Sequence, residues 1–212
     1  MKNKIKAVIF DMDGVLIEAK DWHYNALNKA LGIFGFEISR YDHLVTYDGL
    51  PTSTKLKMLS KEYGLPKKLH KFINDLKQQY TMELITINCK PIFYHEYALS
   101  KLKSEGYQIA CASNSIKNTI NVMLNRSNLI SYMDEILSAD DVSKPKPDPE
   151  MYINTIKKLN RSADECLIVE DNEKGITAAK ASGAYVLEVD EINEVNFENI
   201  KKKINEIEGS KK

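Results

Sequence analysis

The chain predicts an α/β fold: a parallel sheet covered on both faces by helices, with a helical insert placed after the first strand. Three observations lead there. From Pro91 onward, short apolar runs alternate with stretches of helical periodicity, the pattern of a parallel sheet with crossover helices. Between about Ile17 and Asn88, three helical stretches follow one another with no strand between them. The opening run Val8-Ile9-Phe10 is short and continuously apolar, as in a strand buried on both faces.

In chain order, that first strand ends in Asp11-Met12-Asp13-Gly14. If the backbone is still extended there, side chains two apart share a face, so Asp11 and Asp13 point the same way. Gly14 then allows a sharp turn, having no Cβ to forbid positive φ. Helical spacing follows over Asp21 to Phe34, with Trp22, Ala26, Leu27, Ala30 and Leu31 in one stripe and Gly32 and Gly35 at its end. Thr52 to Tyr63, between Pro51 and Gly64, is the second helix of the insert. Leu69 to Leu84 is the third, carrying Phe72, Ile73, Leu76 and Tyr80.

The alternating half begins with helix Tyr94 to Lys103 and strand Gln108 to Ser113. Helix Ile116 to Leu124 and strand Glu135 to Ser138 come next. The turn-rich Lys144-Pro145-Lys146-Pro147-Asp148 introduces helix Pro149 to Leu159. Strand Cys166 to Val169, a helix near Ile176 to Ala181, strand Ala184 to Val189 and a last amphipathic helix Asn199 to Glu208 complete the chain.

Composition narrows the function classes. A chain of 212 residues suits one large domain or a domain with a smaller insert, and 43% hydrophobic with 28% charged residues is globular. Thirty basic against thirty acidic side chains leave no overall field for nucleic acid, and Lys201-Lys202-Lys203 reads as a solvated helix face. Cys89, Cys111 and Cys166 lack metal-ligand spacing; the latter two sit in apolar runs as small buried thiols. The run after Lys2, Lys4 and Lys6 stops at Asp11, short of a signal-peptide core, and no segment has the length to cross a bilayer. The expected setting is cytoplasmic and reduced.

Ligands of such sheets bind beyond the carboxyl ends of the strands. Those ends supply Asp11 and Asp13, then Ser113-Asn114-Ser115, then Glu170-Asp171-Asn172, with Lys144 in the loop after the third strand. Taken singly, Asp-Met-Asp-Gly reads equally as a turn, Ser113-Asn114 as a helix cap, Lys144 as a surface lysine and Glu170-Asp171 as a surface pair. Together, acidic groups, a hydroxyl beside backbone N–H groups and a lysine on one rim suit a magnesium ion and a phosphate.

In these residues the sequence resembles the haloacid dehalogenase-like phosphohydrolase superfamily, in its subfamily IA branch near beta-phosphoglucomutase and phosphoglycolate phosphatase. The motifs are Asp11-Met12-Asp13-Gly14-Val15, Ser113, Lys144 in Ser143-Lys144-Pro145-Lys146-Pro147-Asp148-Pro149, and Glu170-Asp171-Asn172 with Gly175, in that order along essentially the whole chain. The resemblance implies a Rossmann-like core of strand order 5-4-1-2-3, formed by residues 1–16 and 89–212, with a helical cap over residues 17–88. It implies Asp11 as nucleophile and Asp13 as general acid, then base. It also implies Lys144 as the balancing charge, Ser113 and Asn114 as the phosphate cradle, and Mg²⁺ on Asp11, Asp13, Asp171 and, directly or through water, Glu170.

In the cap, the resemblance gives Gly49 of Asp48-Gly49-Leu50-Pro51-Thr52 to a substrate-specificity loop. It puts His23 where the mutase branch has a hinge histidine, although a lone histidine on a helix reads equally as a surface or interface residue. Thr52 and Asp48 stand where that branch carries cations, so the expectation is a Mg²⁺-dependent phosphatase of a small phosphorylated metabolite, a sugar phosphate by class. A hexose-phosphate mutase is the alternative, and a non-catalytic phosphate-binding protein a third. The expected assembly is a monomer or weak homodimer, without nucleic acid or membrane.

Overall fold

The structure is a computed structural model describing residues 5–209. The elements are β1 (Ala7–Phe10), α1 (Lys20–Gly32), α2 (Arg40–Asp42), a π-helical turn (His43–Tyr47), α3 (Thr52–Tyr63), α4 (His70–Asn88), α5 (Phe93–Ser104), β2 (Gln108–Ala112), α6 (Lys117–Arg126), β3 (Glu135–Leu137), α7 (Glu150–Lys158), β4 (Cys166–Glu170), α8 (Glu173–Ala181), β5 (Tyr185–Glu188) and α9 (Phe197–Gly209). The chain divides into two compact units, one of the described residues up to Glu18 and from Lys90 on, the other Ala19–Cys89.

The first unit holds a five-stranded sheet of order β3-β2-β1-β4-β5, parallel throughout. Every residue of β1 is buried, as a central strand covered on both faces must be. Ala7, Ile9, Ala110, Ala112 and Ile168 pack with Met151 and Tyr152 of α7 and Ala178 and Ala179 of α8. Successive residues along a strand face opposite ways, and α5 packs against β2 and α9.

Register then decides what lies beyond the strands. Phe10 pairs with Cys111 on one side and Val169 on the other. The ladder runs one residue further through Asp11 N–H to Val169 O (3.0 Å) and Ser113 N–H to Leu137 O (3.1 Å). Asp11, Ser113 and Glu170 are thereby delivered to one edge of the sheet.

The second unit is all helix. Leu27, Ala30 and Leu31 of α1 form its core with Leu56 and Leu59 of α3, Ile73 of α4, Ile38, Tyr47 and Leu65. The fit to periodicity is close, because these helices present one apolar stripe each. α4 continues to Asn88, four residues beyond the stripe read from the sequence, and the π-helical turn has no counterpart in that reading. No helix among the described residues is long and apolar enough to cross a membrane. All three cysteines are buried and outside any disulfide, and burial pushes the Cys166 thiol up to about 12.

Candidate active site

At the end of β1 the chain turns back on itself. Leu16 and Ile17 both donate to Met12 O (3.0 and 2.9 Å), and Gly14, at φ +97°, is where the left-handed backbone is needed. This leaves Asp11 and Asp13 facing residues from β2 and β4. Asp13 Oδ2 accepts from Ser115 Oγ (2.9 Å) and, at 3.5 Å, from Ser113 Oγ, while Ser113 Oγ also accepts from Ser115 N–H (3.0 Å).

The lysine of this site is Lys146, not Lys144. Lys146 Nζ donates to Asp11 Oδ1 at 2.6 Å and Glu170 Oε1 at 2.8 Å, and is in reach of Ala112 O (2.8 Å) and Tyr152 Oη (2.7 Å). The Lys144 side chain is 72% exposed and its ammonium lies 3.8 Å from Asp148 on the surface. Two backbone clasps explain the register. Glu150, first residue of α7, accepts Ser143 N–H and Lys144 N–H (2.9 Å each), holding 143–144 over that helix terminus. Asn114 accepts Lys146 N–H (3.1 Å) and donates to Lys146 O (3.3 Å), turning that residue inward. The Asn114 carboxamide therefore holds the lysine's backbone, and the expectation for the phosphate concerns the N–H groups around Asn114 rather than this side chain.

Glu170, the last residue of β4, is buried and takes four hydrogen bonds: Oε1 from Lys146 and Tyr152 Oη (2.7 Å), Oε2 from Asp171 N–H (3.0 Å) and Asn172 N–H (3.2 Å). It sits directly over Gly175 of α8, where a Cβ would lie 1.8 Å from Glu170 Oε1. Asn172 caps α8 by accepting Lys174 N–H (3.0 Å).

Asp11, Glu170 and Asp171 each bring an oxygen within 4.8 Å of the others'. Burial, countered by Lys146 and reinforced by Glu170, Asp171 and Asp13, holds the Asp11 carboxyl well above the usual range. Lys146 is the opposite case: Asp11 and Glu170 overcome the effect of burial and keep its ammonium charged. Four carboxylates against one ammonium leave an excess of negative charge, and the donors are all hard oxygens. That is the donor set Mg²⁺ prefers, and a divalent cation there removes the bias toward the neutral acid.

The remaining candidates, His23, Gly49 and Thr52, belong to the helical unit. The part-buried His23 Nδ1 meets Lys77 Nζ at 3.0 Å, so the histidine is an internal partner of a buried lysine. Gly49 has φ +70° and Thr52 opens α3. Lys55 of α3 is only 7% exposed.

Reasoning from sequence missed Lys146, Tyr152 and Ser115. Two Lys-Pro pairs in succession offer two registers, and counting back from Pro149 at the helix start would have favoured the second. Tyr152 looks like a core residue of an amphipathic helix, and nothing local marks its hydroxyl.

The haloacid dehalogenase-like hydrolase family model matches residues 8–189. The chain is 28% identical over 179 residues to a phosphoglycolate phosphatase of Aquifex aeolicus, covering 84% of this chain and 82% of that one. A phosphorylated carbohydrates phosphatase of Thermotoga maritima is also 28% identical, over 182 residues, with the same coverage of 84% and 82%. Among solved structures, a beta-phosphoglucomutase from Clostridium difficile superposes with a TM-score of 0.82 at 28% identity, covering 95% of this chain and 98% of the other.

Proposed function

The chain belongs to the haloacid dehalogenase-like hydrolase family, and from that premise we propose that it is a Mg²⁺-dependent phosphatase hydrolysing a small sugar phosphate through an aspartyl-phosphate on Asp11. The observation that carries this reading is the meeting of Asp11 with Lys146 (2.6 Å), beside Glu170 and Asp171. The relatives named as phosphatases of phosphoglycolate and of phosphorylated carbohydrates support the substrate class.

An Asp11 oxygen attacks phosphorus while the bond to the leaving oxygen breaks, and Asp13 gives that oxygen a proton. Asp13 then takes a proton from water, whose oxygen attacks the same phosphorus and returns free Asp11 and orthophosphate. Lys146 opposes the effect of burial on Asp11 and offsets charge on the transferring group. Ser113 and the backbone N–H groups around Asn114 cradle non-bridging oxygens. Asp11, Asp171 and the Asp13 carbonyl would hold Mg²⁺, with Glu170 steadied beside them. When bound, the ion offsets the repulsion between nucleophile and phosphate. Substrate choice is given to the helical unit, through the Gly49 loop and Thr52.

The mutase alternative keeps one favourable observation: Lys55 and Lys77 put two buried cations in the cap unit. Against it, Asp48 and Thr52 stand where, by the resemblance, the mutase branch carries the cations that hold a bisphosphate.

A panel of sugar phosphates, phosphoglycolate and glycerol phosphates, assayed with Mg²⁺ and with a chelator, tests both. Orthophosphate released only with Mg²⁺ supports hydrolysis. An isomerised hexose phosphate that needs a bisphosphate primer supports the mutase. No turnover on any phosphomonoester ends both. Calorimetric Mg²⁺ titration is the readout independent of activity, with saturable binding expected in the parent and lost in Asp171→Asn.

A further inference from the structure

The Lys146 ammonium has three hydrogens but four oxygens within 2.8 Å: Asp11 Oδ1, Ala112 O, Tyr152 Oη and Glu170 Oε1. At any instant one of those oxygens lacks a hydrogen from the lysine. Tyr152 decides which one can do without. Its only phenolic hydrogen goes to Glu170 Oε1 at 2.7 Å, so that oxygen has a donor of its own. The tyrosine oxygen meanwhile offers the ammonium a lone pair at 2.7 Å.

The phenol has no freedom to point elsewhere. Tyr152 is fully buried, in one core cluster with Met151, Ile156, Ala178 and Ala179. Glu170 is equally fixed, its second oxygen held by the Asp171 and Asn172 amides and its carboxylate seated over Gly175. The ammonium is the adjustable member of the set.

We propose that Tyr152 is a positioning residue for phosphoryl transfer. By supplying a hydrogen to Glu170 and accepting one from Lys146, it leaves the other two lysine hydrogens to Asp11 and the Ala112 carbonyl and keeps the ammonium aimed at the nucleophile. The inference rests on the reading of Asp11 as the phosphorylated residue. Without the hydroxyl, the third Lys146 hydrogen passes from Tyr152 Oη to Glu170 Oε1, and that buried carboxylate, left with the lysine as its donor there, draws the ammonium toward itself and away from Asp11. A buried charged acceptor that loses a hydrogen bond takes whatever donor remains.

The experiment is Tyr152→Phe in the full-length protein, which retains the packed ring and removes only the oxygen. Steady-state kinetics with p-nitrophenyl phosphate and Mg²⁺ are compared in the parent and in a Glu170→Gln background, with thermal unfolding of all four proteins. The expected result is a fall in kcat of about 10- to 100-fold with KM within about twofold, and less than about threefold further loss when position 170 is already neutral. A purely structural role would lower kcat equally in both backgrounds and track the unfolding temperature; that outcome overturns the proposal. So does a Tyr152→Phe protein as active as its parent. If the parent hydrolyses no phosphomonoester, the Asp11 reading fails and this inference falls with it, a result visible before any variant is compared.

Discussion

Replacing each lysine of the Lys144-Pro145-Lys146 segment by methionine separates the two registers by a wide margin. Lys146 is 4% exposed and lies 2.6 Å from Asp11 and 2.8 Å from Glu170. Removing one partner of such a buried pair costs about 3–5 kcal/mol, because the carboxylates lose their counter-charge and stay buried. At roughly 2–4 °C per kcal/mol for a chain of this size, Lys146→Met should melt about 6–20 °C lower. Activity falls for a separate reason. Lys146 is the one influence that lowers the Asp11 carboxyl against burial and three neighbouring acids. Without it nothing among the neighbouring groups opposes burial and the three acids at Asp11, and no ammonium offsets charge on the transferring phosphoryl group, so kcat/KM should drop at least about 10³-fold, or about 4 kcal/mol of barrier. Lys144→Met removes an ion pair at 3.8 Å from a side chain that is 72% exposed. Such pairs contribute about 0–1 kcal/mol, and kcat/KM should stay within about twofold. Differential scanning fluorimetry and orthophosphate release read both effects. A Lys144→Met protein that is inactive, beside an active Lys146→Met protein, would refute the assignment.

Three further outcomes follow from the geometry. Gly175→Ala puts a methyl 1.8 Å from Glu170 Oε1 and should cost about 1–3 kcal/mol of stability together with most of the activity, whereas Gly32→Ala, with nothing within 4 Å, should be neutral or stabilising by under about 1 kcal/mol; chemical denaturation compares them. Asp11→Asn should abolish turnover and Asp13→Asn should slow it, with acid-quenched phosphoprotein detectable in the second and absent in the first. The acid limb of stability should lose slope in His43→Leu. Burial first, and then Lys55, hold His43 down to about 4 from 6.5, so the folded protein binds fewer protons than the unfolded chain between those values. Stability contributed by the neutral ring is complete above pH 6.5 and is lost as pH falls toward 4, by up to about 3 kcal/mol at about 1.4 kcal/mol per pH unit. Urea midpoints measured from pH 7 to pH 4 would show it, and a variant with an unchanged slope would exclude His43 as the source.

The amino-acid sequence by itself determined the strands, the helices and the acidic strand ends, because periodicities of 2 and 3.6 residues and the turn residues between them are local properties. Thr52–Tyr63 and Glu135–Leu137 could be read almost to the residue for that reason. So could the pairing of Asp11 with Glu170-Asp171, since a parallel sheet brings carboxyl ends to one edge. Only the tertiary structure decided which lysine faces Asp11, what the Tyr152 hydroxyl does and that Lys55 and Lys77 are buried. The Lys146–Asp11 contact joins residues 135 positions apart, and its choice over Lys144 depends on Asn114 and Glu150 gripping neighbouring backbone groups. Such choices turn on directional hydrogen bonds between distant segments, which exist only once the apolar faces have packed and water has been excluded.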